Sequence, residues 1–415
     1  MVHYIIIKAL LNSTEHLQSA QFDRSRSNKM ARFPYKKTLV LGFGFFGISV
    51  IWPIFNNFVP IFLAEMGLTA TLVGFVMTWD NYLNMFVQPI VGERSDHTHT
   101  RIGRRKPWML VGAPIAAIFF LLVPTLGSVI GVMFAILLTN LGMALFRSPT
   151  IALLGDLFPP EQRSTANGVI NLMGGLGAIV AFLGGGALYA LGRITPFLFG
   201  SAVLIAAITV VLLFVREPMV DQEEQATETS SGFFTNLREV LQSEDRSGLM
   251  ILLAILCWFI GFNALETWIS SFGRFSLGID PGRMSLITSG FALLFVLFAI
   301  PSGLIATRFG RRRTILVGVT ALTILMGLGW LVQSQATLIA LLVAAGIAWA
   351  LINVNSLPMV YDVGGDARLG AFTGLYYFAS NIAAVAGPQT VGVLVDLTGG
   401  NYRIMFAFSA LFMAL

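Results

Sequence analysis

Twelve stretches of about 20 apolar residues, separated by short polar connections, constrain this chain more than any other feature in it. At ~1.5 Å of rise per residue, a helix of that length reaches across a ~30 Å hydrocarbon layer. No water satisfies peptide groups there, so each stretch must close its own hydrogen bonds as an α-helix. The runs cover 38–63, 70–91, 108–126, 130–157, 168–191 and 196–215, then 249–272, 286–306, 314–332, 338–360, 369–395 and 402–415. The last gives only ~21 Å of helix, so the natural chain is expected to continue past Leu415. Apolar residues make up 56% of the 415 and charged residues 11%, so the charges must gather in the connections. These features predict an all-α polytopic membrane protein with twelve transmembrane helices.

The connections are unequal in charge. Even-numbered ones hold Arg94, Arg101, Arg104, Arg105, Lys106, Arg163, Arg238, Arg246, Arg308, Arg311 to Arg313 and Arg368; odd-numbered ones hold Arg193, Arg274, Arg283 and Arg403. Lys and Arg accumulate on the cytoplasmic side, so both termini are expected inside the cell, with the protein multi-pass in the plasma membrane. The net charge of +5 then answers the anionic inner leaflet, and no nucleic-acid partner is needed. The single cysteine, Cys257, lies within a span, so no disulfide framework exists. Gly42, Gly44 and Gly47 spell G-x-G-x-x-G inside an apolar span, where small residues serve helix packing rather than a dinucleotide. No nucleophile stands with a base and no metal-ligand set occurs. Catalytic residues, a metal and a cofactor are therefore not expected, and the chain is not an enzyme.

An internal repeat divides the chain. Gly103-Arg104-Arg105 recurs as Gly310-Arg311-Arg312, Asp156 as Asp362 and Gly168 as Gly374, at offsets of 206 to 207. Two pseudo-symmetric six-helix bundles follow, over 38–215 and 247–415, the last helix cut short. A tail (1–37) precedes them. An acidic, Ser/Thr-containing linker (216–246) joins them, with Phe233, Phe234, Leu237, Val240 and Leu241 spaced for an amphipathic helix on the inner membrane surface. A six-plus-six chain of this kind holds a solute near the midplane and alternates access by rocking its halves.

Ionisable groups inside spans are costly, at least ~2.5 to 3.5 kcal/mol at the helix centre, and so point to function. Asp80 in the second span and Glu266 in the seventh are candidate proton-coupling acids; either could instead be a structural acid. Arg147 in the fourth span sits at a depth similar to Asp80, so it can pair with Asp80 or bind solute through its five donors. Asn56, Asn57, Asn263, Asn353, Asn355 and Asn381, with Tyr376 and Tyr377, offer amides beside aromatic rings, as sugar sites do. At the membrane surface Asp96, Arg104, Arg105, Asp156 and Arg163, with Arg311, Arg312 and Asp362 in the second half, are candidate gating residues.

The basic loop after span two, its repeat after span eight and the acidic end of span four together resemble the major facilitator superfamily. More narrowly, Gln88-Pro89, Gly92, Ser95-Asp96, Arg101, Gly103-Arg104-Arg105, Pro107, Gly112, Asn140, Arg147, Leu154, Asp156-Leu157, Arg163 and Ala166-Asn167 resemble the sucrose/proton symporters and the glycoside-pentoside-hexuronide symporter group. The resemblance implies the major facilitator fold and a monomer. It also implies proton-coupled symport of a disaccharide or glucoside, with Arg147 in sugar binding and the proton gradient as energy source. The acid those symporters carry earlier on the fourth span falls at Ile136. The paired second-span acids of the sodium-coupled type fall at Asn84 and Gln88. Coupling therefore has to use Asp80 or Glu266. Alternatives are a proton-driven exporter of amphipathic small molecules, hinted at by Ala386-Gly387-Pro388 with Gly392, and a non-transporting membrane receptor.

Overall fold

A computed structural model describes residues 34–217, 242, 246–364 and 369–415. The first 33 residues, the expected linker helix and Arg368 lie outside the described residues. Among the described residues there is no strand. The helices are α1 (Tyr35–Glu65), α2 (Ala70–Met77), α3 (Trp79–Asp96), α4 (Lys106–Leu122), α5 (Val129–Leu157), α6 (Pro160–Tyr189) and α7 (Thr195–Phe214), then α8 (Ser247–Leu277), α9 (Pro281–Phe309), α10 (Arg311–Gly329), α11 (Gln335–Gly364), α12 (Leu369–Leu397) and α13 (Ile404–Ala414). They account for the twelve expected spans because the second is split into α2 and α3. Large apolar side chains such as Ile130, Leu213 and Leu397 stand exposed on the outside, as a lipid-facing surface requires.

Local chemistry sets where the helices begin and end. Thr69, Ser128 and Asp280 turn their side-chain oxygens onto the free N–H groups that open α2, α5 and α9, at 3.4, 3.1 and 2.9 Å. Proline occupies the first turn of α4, α6, α7 and α9, where its missing N–H costs nothing. Gly278, at φ 67°, ends α8.

Helices α1 to α7 form the first bundle and α8 to α13 the second. The bundles meet where α2 packs on α12 and α6 packs on α9. The repeat relates α2 to α9 and α6 to α12, so these two contacts are images of each other. On the α6–α9 face the two backbones nearly touch. A Cβ on Gly186 would lie 2.7 Å from the Gly282 carbonyl oxygen, and one on Gly282 2.9 Å from that of Gly186.

Polar contacts between the bundles are concentrated at the end carrying the odd-numbered connections. Asp396, in the last turn of α12, accepts from the N–H groups of Ala70 and Thr71 and from the Thr71 hydroxyl at 2.9, 2.8 and 2.6 Å. Glu65 pairs with Arg274 of the second bundle at 3.2 Å and with Arg193 of its own at 2.9 Å. Ser285 Oγ donates to the Phe182 carbonyl at 2.8 Å. At the end carrying the even-numbered connections, no hydrogen bond or ion pair joins the bundles among the described residues. Arg104, Arg105, Asp96 and Asp156 pair within the first bundle, and Arg311 pairs with Asp362 within the second. The polar contacts that close the odd-loop end have no counterpart at the even-loop end among the described residues.

Candidate functional site

The break in the second span, unforeseen from its continuous apolar run, organises the centre of the molecule. Thr78 leaves the helix at φ −101°, ψ 3°. Its hydroxyl donates to the Phe75 carbonyl at 2.9 Å and accepts from Gln389 Nε2 of α12 at 2.9 Å. Gln389 also donates to the Tyr82 hydroxyl at 2.9 Å, so one amide from the second bundle pins both sides of the break. The restart places Asp80 in the first turn of α3, where the helix dipole favours a carboxylate. Asp80 Oδ1 accepts from Asn81 Nδ2 at 3.0 Å.

Arg147, half-buried on α5, stands within electrostatic reach of Asp80 and of Tyr377 across the bundle boundary. Among the described residues it makes no hydrogen bond and no ion pair, so the expected alternative of a structural pair with Asp80 is not formed. Asp80 in turn lies within electrostatic reach of Glu266. Glu266 is exposed to a cavity of about 220 Å³ whose walls include Trp52, Asn56, Phe262 and Trp349. Its one side-chain contact is long, Asn56 Nδ2 donating at 3.5 Å.

The remaining candidates divide. Tyr377 is 54% exposed, and Asn353 and Asn381 are half-buried with no side-chain hydrogen bond among the described residues; all three have groups free for a solute. Four others already hold hydrogen bonds within the protein. Asn355 is buried, donating to Ser302 Oγ at 2.9 Å and to the Leu351 carbonyl at 3.0 Å. Asn263 donates to the Phe259 carbonyl of its own helix at 2.7 Å. Tyr376 is buried with its hydroxyl 3.0 Å from Ser356 Oγ. Asn57 donates to the Pro281 carbonyl at 3.2 Å, tying α1 to the start of α9, though it also borders the cavity.

At the even-loop end, Arg105 is buried and divides its donors among Asp156 Oδ2 at 3.0 Å, Ser95 Oγ at 2.5 Å and Asp96, while Arg104 reaches Asp156 Oδ1 at 2.6 Å. Two of the gating candidates stand apart. Arg163 donates to the carbonyls of Phe158 and Gly155 at 3.0 and 3.1 Å, closing the C-terminus of α5. Arg312 is exposed and makes no ion pair among the described residues.

Four groups escaped the sequence reading: Gln389, Asp396, Glu65 and Glu217. Glu217, two residues past the sixth span, accepts from the N–H groups of Arg104, Arg105 and Lys106 at 2.7, 3.0 and 2.9 Å. An acid directly after an apolar run was the one available signal. Gly103, at φ +117°, makes this cradle possible, because a Cβ there would fall 2.5 to 2.7 Å from the Glu217 carboxylate. Gly103→Ala is expected to cost about 1 kcal/mol or somewhat more through backbone strain and to loosen the loop. Thermal melting of the purified protein and faster proteolysis at Arg104 and Arg105 check this.

The family model described as Major Facilitator Superfamily matches residues 38–282 and 274–415. Multidrug resistance protein 2 of Bacillus subtilis is 23% identical over 88% of this chain and 88% of its own length. The general alpha-glucoside permease of Schizosaccharomyces pombe is 24% identical over 62% of this chain and 50% of its own. The isoprimeverose transporter of Lactiplantibacillus pentosus is 22% identical over 69% and 62%. Among solved structures, a mutant of the nucleoside transporter NupG superposes with a TM-score of 0.74 at 15% identity, covering 91% of this chain and 97% of that one. A bacterial homologue of the human lysosomal transporter Spinster, in an inward-facing, unoccupied conformation, gives 0.72 at 14% identity over 92% and 95%.

Proposed function

Since this chain belongs to the Major Facilitator Superfamily, and is thus a multi-pass membrane transport protein rather than an enzyme, we propose that it is a proton-coupled symporter of a sugar, a disaccharide or glucoside. It would work as a monomer, with its termini in the cytoplasm and the odd-loop end outside. In that orientation the structure is closed toward the outside, as one state of an alternating-access cycle requires. Arg147 carries the reading. A guanidinium with no partner among the described residues, within electrostatic reach of Asp80 and Tyr377, is suited to donate to hydroxyls that arrive with a solute. Asp80 is the first choice of proton carrier. Its neutralisation would weaken its hold on Arg147 and change the charge at the break that Gln389 pins, linking proton binding to the contact between bundles. Glu266 is the second acid, and Trp349 and Tyr377 supply rings for sugar faces. Relatives named as an alpha-glucoside permease and an isoprimeverose transporter support the sugar class.

The test is uptake by the reconstituted protein under an imposed pH gradient, across a panel of sugars and one lipophilic cation. A disaccharide or glucoside should accumulate, and Arg147→Ala should reduce its uptake at least tenfold. Asp80→Asn should abolish accumulation against a gradient while sparing exchange at equilibrium. Expulsion of the cation with no sugar movement would replace this reading with the exporter favoured by the 23% identity, over 88% of this chain, to a multidrug resistance protein. If neither solute moves, a receptor role remains.

A further inference from the structure

We propose that the cavity holding Glu266 is a binding site for a small organic cation, a protonated amine carrying an apolar or aromatic arm. Its chemistry differs from that around Arg147. Phe262 stacks on Trp349 with ring centres 3.8 Å apart and planes 2° from parallel, and Phe291 lies 5.9 Å from Phe262. Trp52 and Phe295 complete an aromatic lining on both sides of the bundle boundary. Such rings attract a cation through their quadrupoles.

The polar groups point the same way. Glu266 is open to the cavity, and among the described residues it has no ion-pair partner, only the long contact from Asn56. Asn57 Oδ1 is buried without a hydrogen-bond donor. The hydroxyl protons of Ser270 and Thr288 are spent on the carbonyls of Asn56 and Met284, and one N–H of Asn57 is held by the Pro281 carbonyl. The two hydroxyls have no proton left for an anion, whereas a carboxylate and an amide oxygen remain to accept from an ammonium group. A volume of about 220 Å³ is below the roughly 300 to 1,000 Å³ of drug-sized sites, which limits the ligand to a small amine. The role of the site rests on the transporter reading, but its occupancy can be measured without transport.

The experiment is equilibrium binding of radiolabelled phenethylammonium to the full chain in detergent, with unlabelled phenethyl alcohol, its uncharged counterpart of similar size, as competitor. The ammonium should bind at least tenfold tighter than the alcohol. Glu266→Gln should erase that difference while leaving alcohol binding within twofold, and Trp349→Leu should weaken both. Equal affinities, no saturable binding, or a preference that survives Glu266→Gln would each overturn the proposal. Sugar uptake by the same preparation separates the two ideas: cation binding as expected with no sugar transport sinks the symport reading alone.

Discussion

Asp156→Ala is expected to destabilise the protein by about 3 to 5 kcal/mol, the cost of stripping a partner from a buried charge. Asp156 is 9% exposed and Arg105 5%, and the carboxylate receives both Arg104 and Arg105. Removing it strips both guanidinium groups of their shared carboxylate, leaving Asp96 (44% exposed) on Arg105 and the Glu217 carboxylate held by the backbone N–H groups of the same loop. The repeat supplies an internal control. Arg311 and Asp362 occupy the equivalent positions, but they are 39% and 56% exposed, so water already solvates both. An exposed pair contributes about 0 to 1 kcal/mol, and Asp362→Ala should scarcely move the melting temperature. Thermal melting of the two variants in one detergent decides the matter. Equal losses would show that burial does not set the value of these pairs.

That asymmetry marks how far the sequence could be read. The repeat itself was legible because identical residue types recur at a constant offset, and the twelve apolar runs fixed the helices through membrane thickness alone. The difference between the copies depends on neighbours. Ser95 and Asp96, which serve Arg105, have Ser302 and Gly303 as counterparts, and Ser302 is used by Asn355 instead. That same bond withdrew Asn355 from the expected solute site. Amides in a span announce only that a hydrogen bond is needed. Whether helix, neighbour or solute supplies it depends on packing, and the outcome separates Asn263 and Asn355 from Asn353 and Asn381. The charged candidates Asp80, Arg147 and Glu266 stand out in the sequence for another reason, because a charge inside a span is expensive enough to be conspicuous. The break at Thr78 does not stand out, since the amide that bonds both sides of it, Gln389, lies 311 residues beyond Thr78.

Asp396→Ala is expected to shift the protein away from the closed odd-loop end by roughly 2 kcal/mol, near a thirtyfold change in the balance of states. The first N–H groups of α2 have no carbonyl within their own helix. Asp396 receives two of them and a hydroxyl, from the opposite bundle. Hydrogen bonds to a charged group contribute about 1.5 to 3 kcal/mol each; exposure of Asp396 to solvent lowers the sum for three. These bonds exist only while the bundles touch, so their loss acts on the rocking equilibrium rather than on either bundle's fold. Spin labels at Met66 and Thr398, in a Cys257→Ala background, should report a longer-distance population that grows in Asp396→Ala and grows less in Asp396→Asn, which keeps one acceptor oxygen. Glu65→Gln should do less than Asp396→Ala, because Arg193 and Arg274 are 50% and 40% exposed and such pairs contribute little. An unchanged distance distribution in Asp396→Ala would mean that the glycine-lined contacts of α6 with α9 and the packing of α2 on α12 hold this end shut without the cap.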